Sequence, residues 1–483
     1  MNKYEHLLYK RGFLLTDFDD LTFKDSTTSR VFKKWNHIDF NNYHIYLEPS
    51  LQYSLYRTKH REVLVMGLLI NPFRSINSHV LICKQLAECI DEKDFLEYLD
   101  EISGRFTIID KFKNKTQVYG DAGGTRTIYY DKNHSIVSSH SHLIADLMNY
   151  TASEQALSVM SSKEFTGRKY LPGLLSPFNE IRPLTPNTRY TIEDKLVERF
   201  FPRRKLSTSK FNETIDEVTN VLRIQSKLIH ELYKTSTSLT AGLDSRLTFA
   251  IQSDNLGDKD YFTHISNVNP MSFEEDVKIG KKLAELLNEK HTVYEYSTKI
   301  MDDDFKEFKS IWFKNVGMYR GSVYLFKTYA DNYPSDRLHI RSNLAEIVRV
   351  YYKNREGSSS LEKIVNLYTK SDYKYNPLVL NSFKEFINIA KFDNEYFYNY
   401  NFADLFYWEH RMGMWHSWIV NESDAAYETF VPFNNRKLLK MMLSIPEEER
   451  NSDELFIRVI NNINPALMDI PVSKKCYKDK DQF

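Results

Sequence analysis

"TSLTAGLDSRLTFAI" (Thr237–Ile251) decides how the chain is read. An apolar, strand-like lead-in ends in Thr240-Ala241-Gly242 and resumes at once as Leu243-Asp244-Ser245-Arg246. Small residues there let the backbone turn tightly and come close to a ligand. An Asp and two hydroxyls then open the next element, the pattern of an anion-binding turn feeding a helix. Backbone N–H groups around Ala241 to Leu243, with the Thr240 and Ser245 hydroxyls, would hold a phosphate. Asp244 would repel a bare phosphate, so it fits best as a ligand to Mg²⁺ bridging carboxylate and phosphates. The turn is not a Walker loop, because the GK[ST] ending is absent. An ordinary strand-to-helix turn is the alternative.

The surrounding pattern favours a ligand site. From about Phe211 an amphipathic helix, "NETIDEVTNVLRIQSKLIHELYK", precedes the quoted strand and turn. A helix, a strand at "YFTHISNV", another helix and a strand at "TVYEYS" follow. Alternation of this kind implies a parallel sheet, which binds ligands at the carboxyl ends of its strands. Beyond about residue 305 the chain reads as nearly all helix. Residues 1 to about 200 read instead as short strands, among them "NNYHIYLEPS", "REVLVMGLLIN" and "GRFTIIDKFKNKTQVYGD", with helices at "SHVLICKQLAECI" and "EKDFLEYLDEI". That is α+β layering. The predicted units are therefore 1–200 and 211–483. "FPRRKLSTSKF" lies between them, with Arg203, Arg204 and Lys205 expected to be solvated.

At 483 residues two domains are the default. Lys+Arg and Asp+Glu both number 65, so no basic surplus argues for nucleic acid and no acidic surplus for disorder. Cys83, Cys89 and Cys476 form no CxxC pair, so neither a zinc site nor a disulfide framework is suggested by cysteine spacing. No apolar run is long enough for a membrane span or a signal peptide, and a cytoplasmic location is expected.

Four separated segments together resemble the asparagine synthetase family. Thr240 to Arg246 is similar to the Ser-Gly-Gly-Leu-Asp-Ser pyrophosphate loop of ATP pyrophosphatases. "FTHISNVNPMSFEEDVKIGKKLAELLNEKHTVYEY" follows the same layout after that loop. "FYWEHRMGMWHSWIVNESDAAYETFVPFNNRKLLKMMLSIPEEER" resembles the family's helical stretch, with Arg411, Asp424, Pro432-Phe433 and Arg436 at matching intervals. "GRFTIIDKFKNKTQVYGDAGGTRTIYYD" and "LLSPFNEIRPLTPNTRYTI" resemble its glutaminase-like half. The resemblance implies an α/β protein: an N-terminal α+β Ntn-hydrolase-like sandwich, then a PP-loop ATP pyrophosphatase domain with a helical extension.

Three departures qualify it. Relatives that hydrolyse glutamine carry a Cys directly after the initiator Met, whereas Asn2 stands here and an amide is no nucleophile. This is similar to the β-lactam synthetase branch. In "LHIRSNLAEIVRVYY" the family's acidic, Gly-rich segment becomes Arg341 to Glu346. There Glu346 replaces a metal-binding Asp, Asn343 replaces an acidic group, and Tyr352 falls at the closing Tyr. For Glu346 the choice is between metal ligand and surface carboxylate. In the tail, Lys474, with Lys475 second, matches a lysine that neutralises charge on the phosphates; a solvated tail is the alternative. His264 is either an adenine contact or a buried, hydrogen-bonded histidine. His410 and His416 are read as packing residues.

The resemblance thus implies an ATP- and Mg²⁺-dependent carbon–nitrogen ligase. Thr240, Ala241, Gly242, Leu243, Asp244, Ser245 and His264 would bind nucleotide, Asp244 and Glu346 metal, with Lys474, Glu346 and Tyr352 assisting the chemistry. Its substrates would be a small-molecule, peptide or sugar carboxylate and an amine or ammonia. No nucleic acid or membrane partner is implied, and a homodimer is compatible. A non-catalytic scaffold, or a synthetase fed ammonia by a separate glutaminase, are the other readings.

Overall fold

The computed structural model describes residues 2–318, 321–353 and 355–473. The first two hundred residues supply β1 (Phe13–Thr16), β2 (Asn36–Phe40), β3 (Tyr43–Leu47), β4 (Tyr53–Arg57), β5 (Arg61–Ile70) and β6 (Ser103–Phe112). They continue with β7 (Lys115–Gly120), β8 (Tyr129–Asp131), β9 (Val137–Ser138), β10 (Ile181–Pro183), β11 (Thr188–Thr191) and β12 (Leu196–Arg199). These strands form two 6-stranded sheets, ordered β10-β8-β9-β1-β3-β2 and β12-β11-β7-β6-β5-β4. Alternation along each strand sorts its side chains between two cores. Phe13, Leu15, Ile45 and Leu47 of the first sheet meet Leu64, Met66, Ile109 and Val118 of the second. Leu14, Val63, Val65 and Ile108 face the other way, into the larger core. The helix His79–Ala87 packs on β4 and β5, and the helix Ser141–Met148 lies against β8, β9 and β10. The result is a helix–sheet–sheet–helix sandwich.

Beyond it, β13 (Lys234–Ser238), β14 (Lys259–Ser266), β15 (His291–Tyr296), β16 (Arg337–Ile340) and β17 (Thr429–Phe430) form a parallel sheet. Its order is β15-β14-β13-β16-β17. The chain leaves β13 towards β14 and β15, then returns to the other side of β13 for β16. Strand order therefore reverses beside β13, and loops leaving β13 and β16 diverge around a crevice. β16 and β17 correct the expectation of nearly continuous helix after residue 305. "RLHI" offers only Leu338 and Ile340 as apolar residues, too short a signal for a strand that pairs directly with β13.

Arg203 also departs from expectation. Its guanidinium bonds the Asp100 carboxylate and the Phe200 and Leu96 carbonyls, so it fixes the connecting segment to the sandwich instead of being solvated. No helix among the described residues is long and apolar enough to cross a membrane.

Sandwich and parallel sheet are joined by buried polar groups. Arg105 of β6 holds both carboxylate oxygens of Asp424, the Nη2–Oδ2 distance being 2.6 Å. Asp424, beside this guanidinium, is kept below the usual carboxylate range despite its burial. Asn434 accepts from the Gly123 N–H at 2.7 Å and donates to Gly104, Asp121 and Thr125. Arg199 grips Glu409 through two 2.6 Å bonds.

Removing one partner from a buried ion pair leaves the other charged and unpaired. Asp424→Ala is expected to cost about 3–5 kcal/mol, read as a lower urea midpoint; an unchanged midpoint would show the pair to be dispensable. A second expectation concerns acid. Burial pushes the imidazole of His79 down to about 4 and that of His140 to about 3. In the unfolded chain both take up protons near 6.5. The contribution of these two histidines is therefore complete above about pH 6.5 and falls as pH drops towards 4, by up to ~1.4 kcal/mol per pH unit for each. Urea titrations at pH 7 and pH 5 test this, and the slope is expected to be shallower in His79→Gln.

Candidate active site

β13 ends at Ser238, and the helix Leu243–Ser253 begins with Gly242 as its N-cap. The quoted turn is thus at the carboxyl end of a central parallel strand and the start of an 11-residue helix. Its own hydroxyls shape it. Ser245 Oγ lies 2.9 Å from Thr240 Oγ1 and accepts the Thr240 N–H at 3.1 Å. The Gly242 N–H reaches Thr240 Oγ1 at 3.3 Å. Behind the turn the helix Glu274–Leu286 approaches closely at Gly280, where a Cβ would stand 3.0 Å from the Leu239 carbonyl. That approach brings Asp276 to the Ala241 N–H at 2.9 Å. The Ala241 N–H, expected as a phosphate donor, thus donates to a carboxylate in this structure. The Ala241 and Leu243 side chains are buried in the core.

A cavity of about 490 Å³ opens over this turn. Thr240, Gly242, Asp244, Ser245, His264 and Glu346 all line it. They come from the loop after β13, from β14 and from the segment after β16, so the reversal of strand order is what brings them together. His264 bonds the Tyr329 hydroxyl at 3.1 Å, and burial holds its imidazole down to about 4, hence neutral at pH 7. Phe262, Tyr329 and Tyr427 add aromatic surface to the cavity.

Glu346 lies on a short 3₁₀ turn, Ala345–Val348, after β16. Burial and the nearby Asp244 carboxylate push it up to about 7. One of its oxygens accepts from Asn343 at 3.1 Å; the other is buried without a hydrogen-bond partner among the described residues. Two carboxylates in one cavity, one with an unsatisfied buried oxygen, fit a hard divalent cation such as Mg²⁺. Glu346 is not a surface carboxylate.

Arg349 carries no signal in the sequence beyond its charge. Its Nη1 lies 2.9 Å from Asp244 Oδ1, while Nη2 engages Asp453. Asp244 thus already has a cationic partner. Asp276 and Lys169, which also lines the cavity from the N-terminal half, were equally unmarked.

Tyr352 is elsewhere. With Arg168, Tyr351, Lys353, Lys374 and Arg411 it lines a neighbouring cavity of about 440 Å³. The Tyr352 hydroxyl is buried, has no hydrogen-bond partner among the described residues, and has its pKa driven well up by burial. Such a phenol is a poor base at neutral pH. A π-helix, Tyr407–His416, gives Arg411 to this second cavity and Trp415 to the first. Arg411 is ringed by aromatics, with Tyr351 at 4.9 Å and Trp415 at 5.1 Å. His410 and His416, on the same helix, are fully buried among packed side chains, and His410 stacks on Phe406 at 4.8 Å. Their reading as packing residues agrees with this.

Lys474 and Lys475 lie outside the described residues. Ser473, just before them, donates its N–H to the Ala241 carbonyl at 3.1 Å and its hydroxyl to Glu275 at 2.8 Å. Asn2 is held by two hydrogen bonds. Its amide donates to the Glu307 carbonyl at 3.1 Å and accepts the Tyr4 N–H at 2.8 Å, a structural arrangement ahead of a short 3₁₀ turn.

No family model matches the sequence, and no curated protein matches it. Solved structures give weak likenesses. The glutamine-dependent NAD+ synthetase of Acinetobacter baumannii, in complex with ADP, is 14% identical with a TM-score of 0.20, over 37% of this chain and 34% of that one. The NMN synthetase of Francisella tularensis is 12% identical with a TM-score of 0.20, over 54% and 95%. The glutamine PRPP amidotransferase of B. subtilis, complexed with ADP and GMP, is 10% identical with a TM-score of 0.24, over 60% of each chain. Likenesses this faint carry no weight for function.

The Arg349 contact makes a direct prediction. Arg349→Met leaves Asp244 and Asp453 without this cation. Because Asp244 is about a third exposed, at 32%, the cost falls below that of a fully buried pair, at about 1–3 kcal/mol. Millimolar Mg²⁺ is expected to recover part of the lost Tm in this variant and to leave the parent nearly unmoved.

Proposed function

We propose that the chain is an ATP-dependent, AMP-forming carbon–nitrogen ligase without a glutaminase of its own. One observation carries the reading. The turn at Thr240 to Ser245, His264 and the half-satisfied carboxylate of Glu346 converge on one cavity at the reversal of a parallel sheet. The helix N-terminus beneath Gly242 and the paired hydroxyls of Thr240 and Ser245 suit a pyrophosphate. Phe262, His264 and Tyr329 suit an adenine face. Asp244 and Glu346 would hold Mg²⁺, which would supply charge neutralisation on the phosphates.

In this reading a substrate carboxylate oxygen attacks the α-phosphorus and the α–β anhydride bond breaks, releasing pyrophosphate. An amine or ammonia nitrogen then forms the amide bond, the acyl–oxygen bond to AMP breaks, and one nitrogen-bound proton is lost. The neighbouring cavity supports an anionic substrate, since Arg168, Lys353, Lys370, Lys374 and Arg411 all line it. Lys474 follows a residue bonded to the turn, which supports its part in steadying the phosphates. The two bonds made by the Asn2 amide, and its chemistry, support the absence of glutamine hydrolysis at that residue.

The Asp244–Arg349 contact favours a second reading, a non-catalytic member in which an arginine stands where metal would bind. Calorimetric titration with a non-hydrolysable ATP analogue, with and without Mg²⁺, separates the two. The ligase reading expects Mg²⁺-dependent binding, weakened at least about tenfold, or 1.4 kcal/mol, by Asp244→Ala. Pyrophosphate release on screening carboxylate and amine pairs would follow. No binding by folded protein would leave the scaffold reading standing.

A further inference from the structure

Far along the sequence from the cavity, the hairpin of β2 and β3 carries a second cluster that the ligase reading does not use. His37 and Asp39 are two residues apart on β2, so they share a face. Antiparallel register sets His44 of β3 directly opposite Asp39. Three donor atoms then converge. His37 Nε2 lies 3.1 Å from His44 Nδ1, His44 Nδ1 lies 3.0 Å from Asp39 Oδ1, and His37 Nε2 lies 3.4 Å from that same oxygen. Among the described residues this is the group of three or more His, Cys, Asp or Glu side chains close enough to share a metal ion.

The triangle has the dimensions of one face of a zinc tetrahedron, whose ligands at about 2.0–2.1 Å from the metal stand roughly 3.3 Å apart. In the tautomer with Nδ1 of His44 deprotonated, the His37 Nε2 proton faces two lone-pair atoms, His44 Nδ1 and Asp39 Oδ1, 3.0 Å apart. A cation at the centre satisfies all three. The outer contacts prepare the same arrangement. His44 Nε2 is 3.2 Å from Asp19 Oδ1, so a proton held on that side leaves Nδ1 free to act as a ligand. A carboxylate behind a histidine ligand is the usual means of fixing its tautomer. The His37 ring is held by stacking on Tyr46, at 4.8 Å and 22°.

We propose that His37, Asp39 and His44 form a Zn²⁺ site, with Asp19 positioning His44. Imidazole nitrogen with one carboxylate oxygen selects a borderline transition metal over Mg²⁺ or Ca²⁺. Asp39 is 75% exposed, so the fourth position opens to solvent and takes water or an exogenous ligand. β2 is the outermost strand of its sheet. The metal therefore clamps an edge hairpin, and it stabilises the fold by mass action.

The test is calorimetric titration of the untagged full chain with ZnCl₂, alongside thermal melts with and without the metal. One equivalent is expected to bind and to raise Tm, with Mg²⁺ giving no effect at this site. His37→Ala and His44→Ala should each weaken binding at least about tenfold, and Asp19→Asn about 10–100-fold. Metal-free melts identify any variant that fails to fold, and the cluster's surface position makes that unexpected. Absence of stoichiometric Zn²⁺ binding, or binding indifferent to both histidine substitutions, overturns the proposal. Either result is independent of nucleotide binding.

Discussion

The buried pair of Arg105 and Asp424 is the constraint on which the rest of the molecule depends. Arg105 stands on β6 within the sandwich; Asp424 follows the helix Ser417–Ser423. Desolvating both charges is worthwhile only with near-ideal geometry, and the two-pronged contact supplies it. Arg11 adds a second cation to Asp424, through a 3.0 Å bond to its carbonyl and a 3.7 Å approach to its carboxylate. Asn434 closes the joint by satisfying Gly104, Asp121, Gly123 and Thr125 at once. Glu422 and Tyr427, on either side of Asp424, line the larger cavity. The sandwich thus acts on the candidate site without contributing much of its wall: it fixes the backbone from which that wall is hung.

Charge balance inside the cavity has a similar logic. Burial and the Asp244 carboxylate raise the affinity of Glu346 for positive charge, and Arg349 supplies one cation between Asp244 and Asp453. The arginine sits three residues beyond Glu346, across a single 3₁₀ turn. Moving either carboxylate therefore moves the balance of the other, and the site behaves as one electrostatic unit.

Much of this was legible in the sequence where local chemistry decides the structure. Small residues followed by Asp and Ser announced the turn at Thr240, and the alternation of strand and helix placed it at a parallel strand's end, although that strand, Lys234–Ser238, carries no apolar residue. Several strands of the first two hundred residues, β3 and β5 to β7 among them, and the helices His79–Ala87 and Glu92–Glu101 followed from their periodicity. What escaped was settled by distant partners. β16 is four residues long and becomes a strand because β13 and β17 flank it. Arg203 lies in a polar stretch that looks solvated until Asp100 arrives from another element. The Ala241 N–H looked available until Asp276 reached it. Tyr352 was aligned by position along the chain, and the fold turns it towards a different cavity.

The π-helix Tyr407–His416 has a geometric consequence of its own. Its wide turns, closed by i→i+5 bonds, place Tyr407, Arg411 and Trp415 along one side, each aromatic within 6 Å of the guanidinium. The two cavities are thus neighbouring rooms with a common partition. Loss of a single residue from this stretch would disturb the spacing that sets Arg411 and Trp415 towards their two cavities. The partition is a ratchet with one permitted setting, and the two spaces keep their alignment only while its count of residues is kept.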